Sequence, residues 1–284
     1  MAGKRFDGIL LCSDMDGTMF VSPENITALE YFTENGGRFT MASGRFPAHF
    51  RKTVKGLPIN APVVAVNGNV IYDMNADEVL WSCPMPDDIV LEVLRFIESD
   101  CPECDFVTIN GINAGIAGKI TPPTPDDKPL TSFLTSTQVS DRPISADELF
   151  AEFRRSEEAR PAMKLIFVQN PHITDSFRNK LTQRFPSLML TQSWGQGLEM
   201  NMAEGGKGSG VRKLRELLGS IHTVVCAGDY ENDIPMLKVA DIGYAMGNAI
   251  DAVKAVAHRV TVPYDQNAIA KIIEDLDKEN EYEH

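Results

Sequence analysis

Strand-like and helix-like segments alternate at both ends of this chain, and the pattern breaks in the middle. Near the N-terminus, GILLCS (residues 8–13) is an unbroken apolar run, the pattern of a strand buried on both faces. SPENITALEYFTENGG follows it: Ser22 can cap a helix, Pro23 suits its first position, and Gly36 and Gly37 end it. Strands are then expected at RFTMAS (38–43) and APVVAV (61–66), the second running into a hairpin turn at Asn67-Gly68. The C-terminal part repeats the alternation. Helices are expected near 208–218, 234–239, 249–257 and 267–276, with strands at 223–228 (TVVCAG), 241–246 (DIGYAM) and 259–262 (RVTV). Such alternation predicts an α/β fold with a doubly wound, mostly parallel, Rossmann-like sheet.

From 84 to 192 the pattern becomes helix, hairpin, loop, helix, strand, helix, strand. DFVTINGINAGIAG reads as a hairpin around Asn110-Gly111, and KITPPTPDDKPLTS as a surface loop rich in Pro and charge. An inserted α+β domain over 84–192 is expected, interrupting a core made of 1–83 and 193–284. The acidic end EDLDKENEYEH reads as a frayed helix terminus.

At 284 residues the chain is long enough for two domains and a sizeable core. Its net charge of −13 argues against nucleic acid or an anionic membrane as the main partner. No apolar run approaches the ~20 residues of a membrane span, and MAGKRFDG lacks the apolar centre of a signal peptide, so a cytoplasmic location is expected. The five cysteines are an odd number, in a chain too long to need a disulfide framework. CPEC (101–104) lacks the second ligand pair a zinc site requires, so unpaired thiols at a helix end are expected; Cys12 and Cys226 read as small core residues. The histidines at 49, 172, 222 and 258 show no ligand spacing.

The chemistry gathers where core strands end. Asp14 and Asp16 follow the first strand, Ser43 the second, Asp229 and Asp233 the strand TVVCA, and Lys207 opens a helix. In open α/β sheets that edge is where ligands bind. Four clustered carboxylates need a cation, and hard oxygen ligands in small number suit Mg²⁺, which shares its shell with water and phosphate. The hydroxyls of Ser43 and Thr18, the Lys207 ammonium and backbone N–H groups are what the other faces of a phosphoryl group require. Each stretch alone has a plain structural explanation: an Asx-turn for DMDG, a loop for SGR, a hinge for GGKG, a solvated acidic loop for GDYEND. Four in order, each at a strand end or helix start, point to one site.

DMDGT (14–18), ASGR (42–45), GGKGSG (205–210) and GDYENDIPML (228–237) resemble the four motifs of the haloacid dehalogenase-like (HAD) superfamily. VAVNGNVIYD and AMGNAIDAVKAVAHRVT resemble linking segments of its Cof-type branch, the class IIB phosphatases. The inserted domain matches that branch's cap in position and general pattern. The resemblance implies a Mg²⁺-dependent phosphatase acting on a small phosphorylated metabolite, such as a sugar phosphate, through an aspartyl-phosphate. Asp14 is then the nucleophile, and Asp16 the acid and base. Asp14, the Asp16 backbone carbonyl and Asp229 hold the metal, with Asp233 a further ligand or orienter. Ser43 and Gly44 of the second motif, Lys207, Asn232 and Thr18 surround the phosphate.

Two departures stand out. Ser replaces the Thr often found in the second motif and keeps the hydroxyl; VPYDQNAIAKI replaces the branch's usual acidic-glycine ending. The nearest enzymatic rival is a sugar phosphomutase of the same architecture. It would need an anion-binding cluster in the cap, for which Arg142, Arg154, Arg155, Arg160 and Lys164 are the available cations. A phospho-binding module without turnover would have lost Asp16 or Lys207, and both are present. The oligomeric state is left open.

Overall fold

The structure, a computed structural model, describes residues 4–120, 137–139 and 143–282. Most of the expected surface loop, from 121 onward, and Arg142 lie outside the described residues. In chain order the elements are β1 (Ile9–Ser13), α1 (Pro23–Glu34), β2 (Arg38–Met41), α2 (Pro47–Thr53), β3 (Val63–Ala65), β4 (Val70–Asp73) and β5 (Glu78–Ser82). Then come α3 (Asp87–Asp100), β6 (Phe106–Asn110), β7 (Gly115–Gly118), β8 (Thr137–Val139), α4 (Ala146–Arg155), β9 (Lys164–Val168), α5 (Asp175–Arg184), β10 (Leu188–Trp194) and β11 (Gly197–Met202). The chain closes with α6 (Gly206–Leu218), β12 (Thr223–Gly228), α7 (Ile234–Val239), β13 (Ile242–Ala245), α8 (Asp251–Lys254), β14 (Arg259–Val260) and α9 (Ala268–Tyr282). They form two compact units, one of Met1–Trp81 with Gly205–His284, the other of Ser82–Glu204.

The first unit is built on a parallel sheet in the order β14-β13-β12-β1-β2. β1 is buried along its whole length, as its apolar run requires. Its neighbours β12 and β2 put Ser13 opposite Ala227 and Met41. The three strands therefore end together, and the residues that follow them share one edge. Ser22 caps α1 by accepting from the Asn25 N–H at 3.1 Å, with Pro23 in the first turn. α1 packs on α9, and α6 on α7. β3, β4 and β5 form a separate small sheet, joined to β2 through a parallel bridge from Ala42 to Val64. The expected hairpin is present between β3 and β4, with a four-residue connection in which Val66, Asn67 and Gly68 all adopt positive φ.

The second unit is a six-stranded sheet, β10-β11-β9-β6-β7-β8, antiparallel except where β8 pairs with β7. Its core sets inward residues of the strands, such as Val107, Leu165, Phe167 and Leu198, with buried residues of α3, α4 and α5. It reaches Glu204 rather than the expected 192, because β11 hydrogen-bonds between β10 and β9 and belongs to this sheet. Glu199 and Asn201 alternate with Leu198 and Met200 along β11 and are buried nonetheless, which disguised the strand. Three further elements had no counterpart in the sequence reading, α2, β5 and β8. The acidic tail continues α9 to Tyr282. The five cysteines are free thiols, with Cys101 at the end of α3 and Cys12 paired in register with Cys226 inside the sheet. Among the described residues no helix is long and apolar enough to cross a membrane.

Gly68 (φ 87°) tests the fit of the β3–β4 connection. A Cβ there would fall inside the van der Waals envelope of the Gly206 carbonyl at the start of α6, whereas a Cβ on Gly56 (φ 92°) meets nothing. Gly56→Ala should cost about 1–2 kcal/mol, the left-handed penalty alone, and Gly68→Ala about 3 kcal/mol or more because backbone must also move. Denaturant unfolding of both variants checks this; equal costs would mean that the 66–69 turn is not packed against α6.

Candidate active site

Asp14 lies one residue beyond β1, its N–H donating to the Ala227 carbonyl of β12 at 2.9 Å. Lys207, in the first turn of α6, is 1% exposed. Its ammonium donates to Asp14 Oδ1 and to Asp233 Oδ1, both at 2.6 Å. The other oxygen of Asp233 accepts the N–H groups of Asp229 and Tyr230, at 2.9 and 3.1 Å. Asp233 therefore fixes the loop after β12 and the ammonium together. Asp229, at the end of that strand, accepts from Thr18 Oγ1 at 3.1 Å. One carboxylate oxygen from each of Asp14, Asp229 and Asp233 lies within 4.8 Å of the others.

These distances set the electrostatics. Burial, then the nearby Asp233 charge, pushes Asp14 from an ordinary 3.8 up to about 8, against the pull of Lys207. Burial and then Asp233 likewise raise Asp229 to about 6. Burial would lower the Lys207 ammonium, but Asp14 and Asp233 overcome that and hold it above its ordinary value. Ionised together, the three carboxylates against one ammonium leave two negative charges in a largely buried place. That donor set, all hard oxygen and short of two positive charges, fits a divalent cation.

Asp16 is placed apart from this cluster. Its side chain is 73% exposed and pairs with Arg45 Nη2 at 2.8 and 3.1 Å. Its carboxylate is thus not among the three that converge, while its backbone continues the loop from Asp14. Gly17 makes that loop possible: it adopts φ 81°, and a Cβ would collide with the Asp229 carboxylate. Ser43 is buried just past β2, with Gly44 beside it. Asn232 lies in the 3-10 turn before α7, its Nδ2 3.4 Å from Asn67 Oδ1.

Three residues escaped the sequence reading. The pattern ASGR by itself gives Arg45 no role. Asn67 was read only as a turn former. Its N–H donates to the Ser43 carbonyl and that of Val66 to the Arg45 carbonyl, at 2.9 and 3.0 Å, which ties the β3 turn to the second motif. Asn248, just beyond β13, donates to the Gly17 carbonyl at 2.9 Å. The signal for Asn67 and Asn248 was available, since they lie two and three residues past the core strands β3 and β13.

A model of haloacid dehalogenase-like hydrolases matches residues 11–273. The chain belongs to that family. Among its relatives, pyridoxal phosphate phosphatase YbhA of Escherichia coli is 28% identical over 287 residues, covering 93% of this chain and 97% of the relative. The fold matches a phosphatase of the superfamily from Bacteroides thetaiotaomicron, with a TM-score of 0.76, 23% identity and 97% of each chain covered. It also matches a subclass IIB sugar phosphatase, with a TM-score of 0.74, 20% identity, and 94% and 98% covered. This HAD-like hydrolase stands with the family's phosphoric monoester hydrolases, and the family's use of a divalent metal agrees with its acidic cluster.

The raised carboxylates fix a sign. Between pH 4 and 8 the folded HAD-like protein keeps protons on Asp14, and up to about 6 on Asp229, that the unfolded chain has released. Their contribution to stability is present at low pH and is lost as pH rises through that window. In EDTA the thermal midpoint should include this fall from pH 5 to 8. Added Mg²⁺, which competes with those protons, should raise it by more at pH 8 than at pH 5. Differential scanning fluorimetry reads both; a Mg²⁺ increment independent of pH would mean that the cation does not bind at these carboxylates.

Proposed function

We propose that this protein is a divalent-cation-dependent phosphatase that removes the phosphoryl group from a small phosphorylated metabolite through an aspartyl-phosphate at Asp14. The observation that carries this reading is the Lys207 ammonium, buried against Asp14 at 2.6 Å and oriented by Asp233. A lysine so placed holds one Asp14 oxygen and leaves the other for attack on phosphorus. In the first step the Asp14 carboxylate attacks and the bond from phosphorus to the ester oxygen breaks. Asp16 supplies the proton that the leaving alkoxide takes. In the second, Asp16 as carboxylate takes a proton from water, the water oxygen attacks phosphorus, and inorganic phosphate leaves Asp14 free.

Mg²⁺ is the expected cation, held by Asp14, the Asp16 backbone carbonyl and Asp229. When bound it supplies positive charge to the phosphoryl oxygens. Because both Asp233 oxygens are already engaged, that residue serves as the orienter. Ser43, Gly44, Asn232 and Thr18 are assigned to the phosphate surroundings. Arg45 Nη2 donates to both oxygens of Asp16, which gives the proton carrier a partner on the exposed side of the loop. The second unit is assigned as the cap, the part that selects among metabolites; relatives and fold neighbours named for pyridoxal phosphate and for sugar phosphates bound the range.

The phosphomutase reading needs several cap cations free to bind one anion. Arg154 instead pairs with Asp87, which Arg160 also approaches at 3.9 Å, and Lys164 is buried against Glu199 at 2.8 Å. Hydrolysis is the better account.

Asp14→Asn keeps the shape and removes the nucleophile. Turnover of p-nitrophenyl phosphate should fall at least about a thousandfold, roughly 4 kcal/mol at 1.36 kcal/mol per tenfold, with an unchanged far-UV circular dichroism spectrum. EDTA should abolish turnover and Mg²⁺ restore it, while Ca²⁺, with longer bonds and more ligands, should inhibit. A folded Asp14→Asn protein with wild-type turnover, or full activity in excess chelator, would overturn the reading.

A further inference from the structure

The first unit holds a cleft of about 380 Å³ beside Asp16 and Arg45, a size ordinary for small-molecule sites. Met15, Met19, Met41, Val54 and Leu57 supply its apolar side, and Asp16, Arg45 and Thr53 its polar side. Asp16 is part of its lining, and so is Gly17 of the same loop.

Whatever alcohol accepts a proton from Asp16 must begin within hydrogen-bond reach of that carboxylate. The cleft next to it lies within that reach. Three methionines close together offer polarizable sulfur and adaptable shape, which favour an aromatic face or edge. A polyol seated against the apolar side would turn hydroxyls toward thioethers and aliphatic carbons, without hydrogen-bond partners there.

Tyr264 lines the same cleft. It stands in VPYDQNAIAKI, the stretch in which this chain departs from the branch it resembles. The residue is 37% exposed, and its ring meets Phe20 edge-on, with centroids 6.1 Å apart. The backbone is tied to the catalytic loop: the Tyr264 N–H donates to Asn248 Oδ1 at 3.0 Å, and Asn248 Nδ2 to the Gly17 carbonyl at 2.9 Å. An aromatic residue of the cleft is thus held in register with the loop that carries Asp14 and Asp16.

We propose that this cleft is the leaving-group subsite and that it selects phosphomonoesters of alcohols bearing a flat aromatic or heteroaromatic ring over phosphates of sugars and polyols. The proposal rests on the phosphatase reading and narrows its substrate class.

Benzyl phosphate and glucose 6-phosphate test it, since both are esters of primary alcohols and differ mainly in ring against polyol. The full-length Mg²⁺-loaded protein should show a kcat/KM at least tenfold higher for benzyl phosphate. In Tyr264→Ala and Leu57→Asn that ratio should fall at least fivefold, with most of the loss in KM for the aromatic ester. Binding is read without turnover. With ¹³C-methyl methionine at the 12 methionine positions, benzylphosphonate should shift the Met15, Met19 and Met41 signals, assigned by Met→Leu replacement. A ratio near one, or methionine methyls unmoved at saturating benzylphosphonate, would overturn the subsite while Asp14-dependent hydrolysis of p-nitrophenyl phosphate left the phosphatase reading standing. Absence of that hydrolysis would overturn both.

Discussion

Lys207 is the charge on which the site depends. A fully buried ammonium is costly unless its partners compensate, and removing one partner of such a pair typically costs 3–5 kcal/mol. Here both partners lie at 2.6 Å, one on the loop after β1 and one in the turn after β12. The ammonium thereby fastens three segments that are far apart in sequence. Asp233 extends the fastening by accepting two backbone N–H groups, so the loop that delivers Asp229 is set by the same residue that orients the lysine. The arrangement is satisfied hydrogen bond by hydrogen bond yet remains short of positive charge. That residual imbalance is what gives the cluster its appetite for a cation and, without one, for protons.

The sheet makes this possible. β12, β1 and β2 are adjacent, parallel and in register at their carboxyl ends, so residues 14, 43 and 229 are brought to one edge by backbone hydrogen bonding alone. Side chains then divide the work. Asp14 and Lys207 are buried, where electrostatic interactions are strong. Asp16 is exposed and leashed to Arg45, where a proton can be exchanged with solvent. Two carboxylates two residues apart thus occupy environments as different as a protein offers, which is how neighbouring acids come to hold different roles.

Much of this was legible in the sequence because the controlling signals were local. Apolar runs gave β1 and β12; Ser22 and Pro23 gave the start of α1; the strand-end rule brought Asp14, Ser43 and Asp229 to one edge. Asp16 also follows β1, but its side chain turns to Arg45, a pairing across 29 residues that no local pattern carries. β11 was hidden for a related reason: Glu199 is buried by virtue of Lys164, 35 residues away, so its polarity disguised a core strand and misplaced the domain boundary. Asn67 and Asn248 act through backbone contacts with the second-motif loop and with Gly17, which become visible only once the loops are assembled.

The loop 14–18 faces two kinds of surroundings. Asp14 and Thr18 turn inward, to Lys207 and Asp229. Met15 and Asp16 belong to the cleft lined by Met19, Met41 and Leu57. A phosphomonoester has the same duality, a doubly charged head and a neutral body joined at one oxygen. Binding the head requires dense fixed charge, and that charge is common to any such ester. Discrimination must come from the body, where apolar walls reward contact area and penalise unpaired hydroxyls. Placing both on one five-residue loop couples them rigidly. A body that seats well among the methionines positions the ester oxygen against Asp16, and one that seats badly displaces it, so this part of the selectivity is read out in catalysis itself.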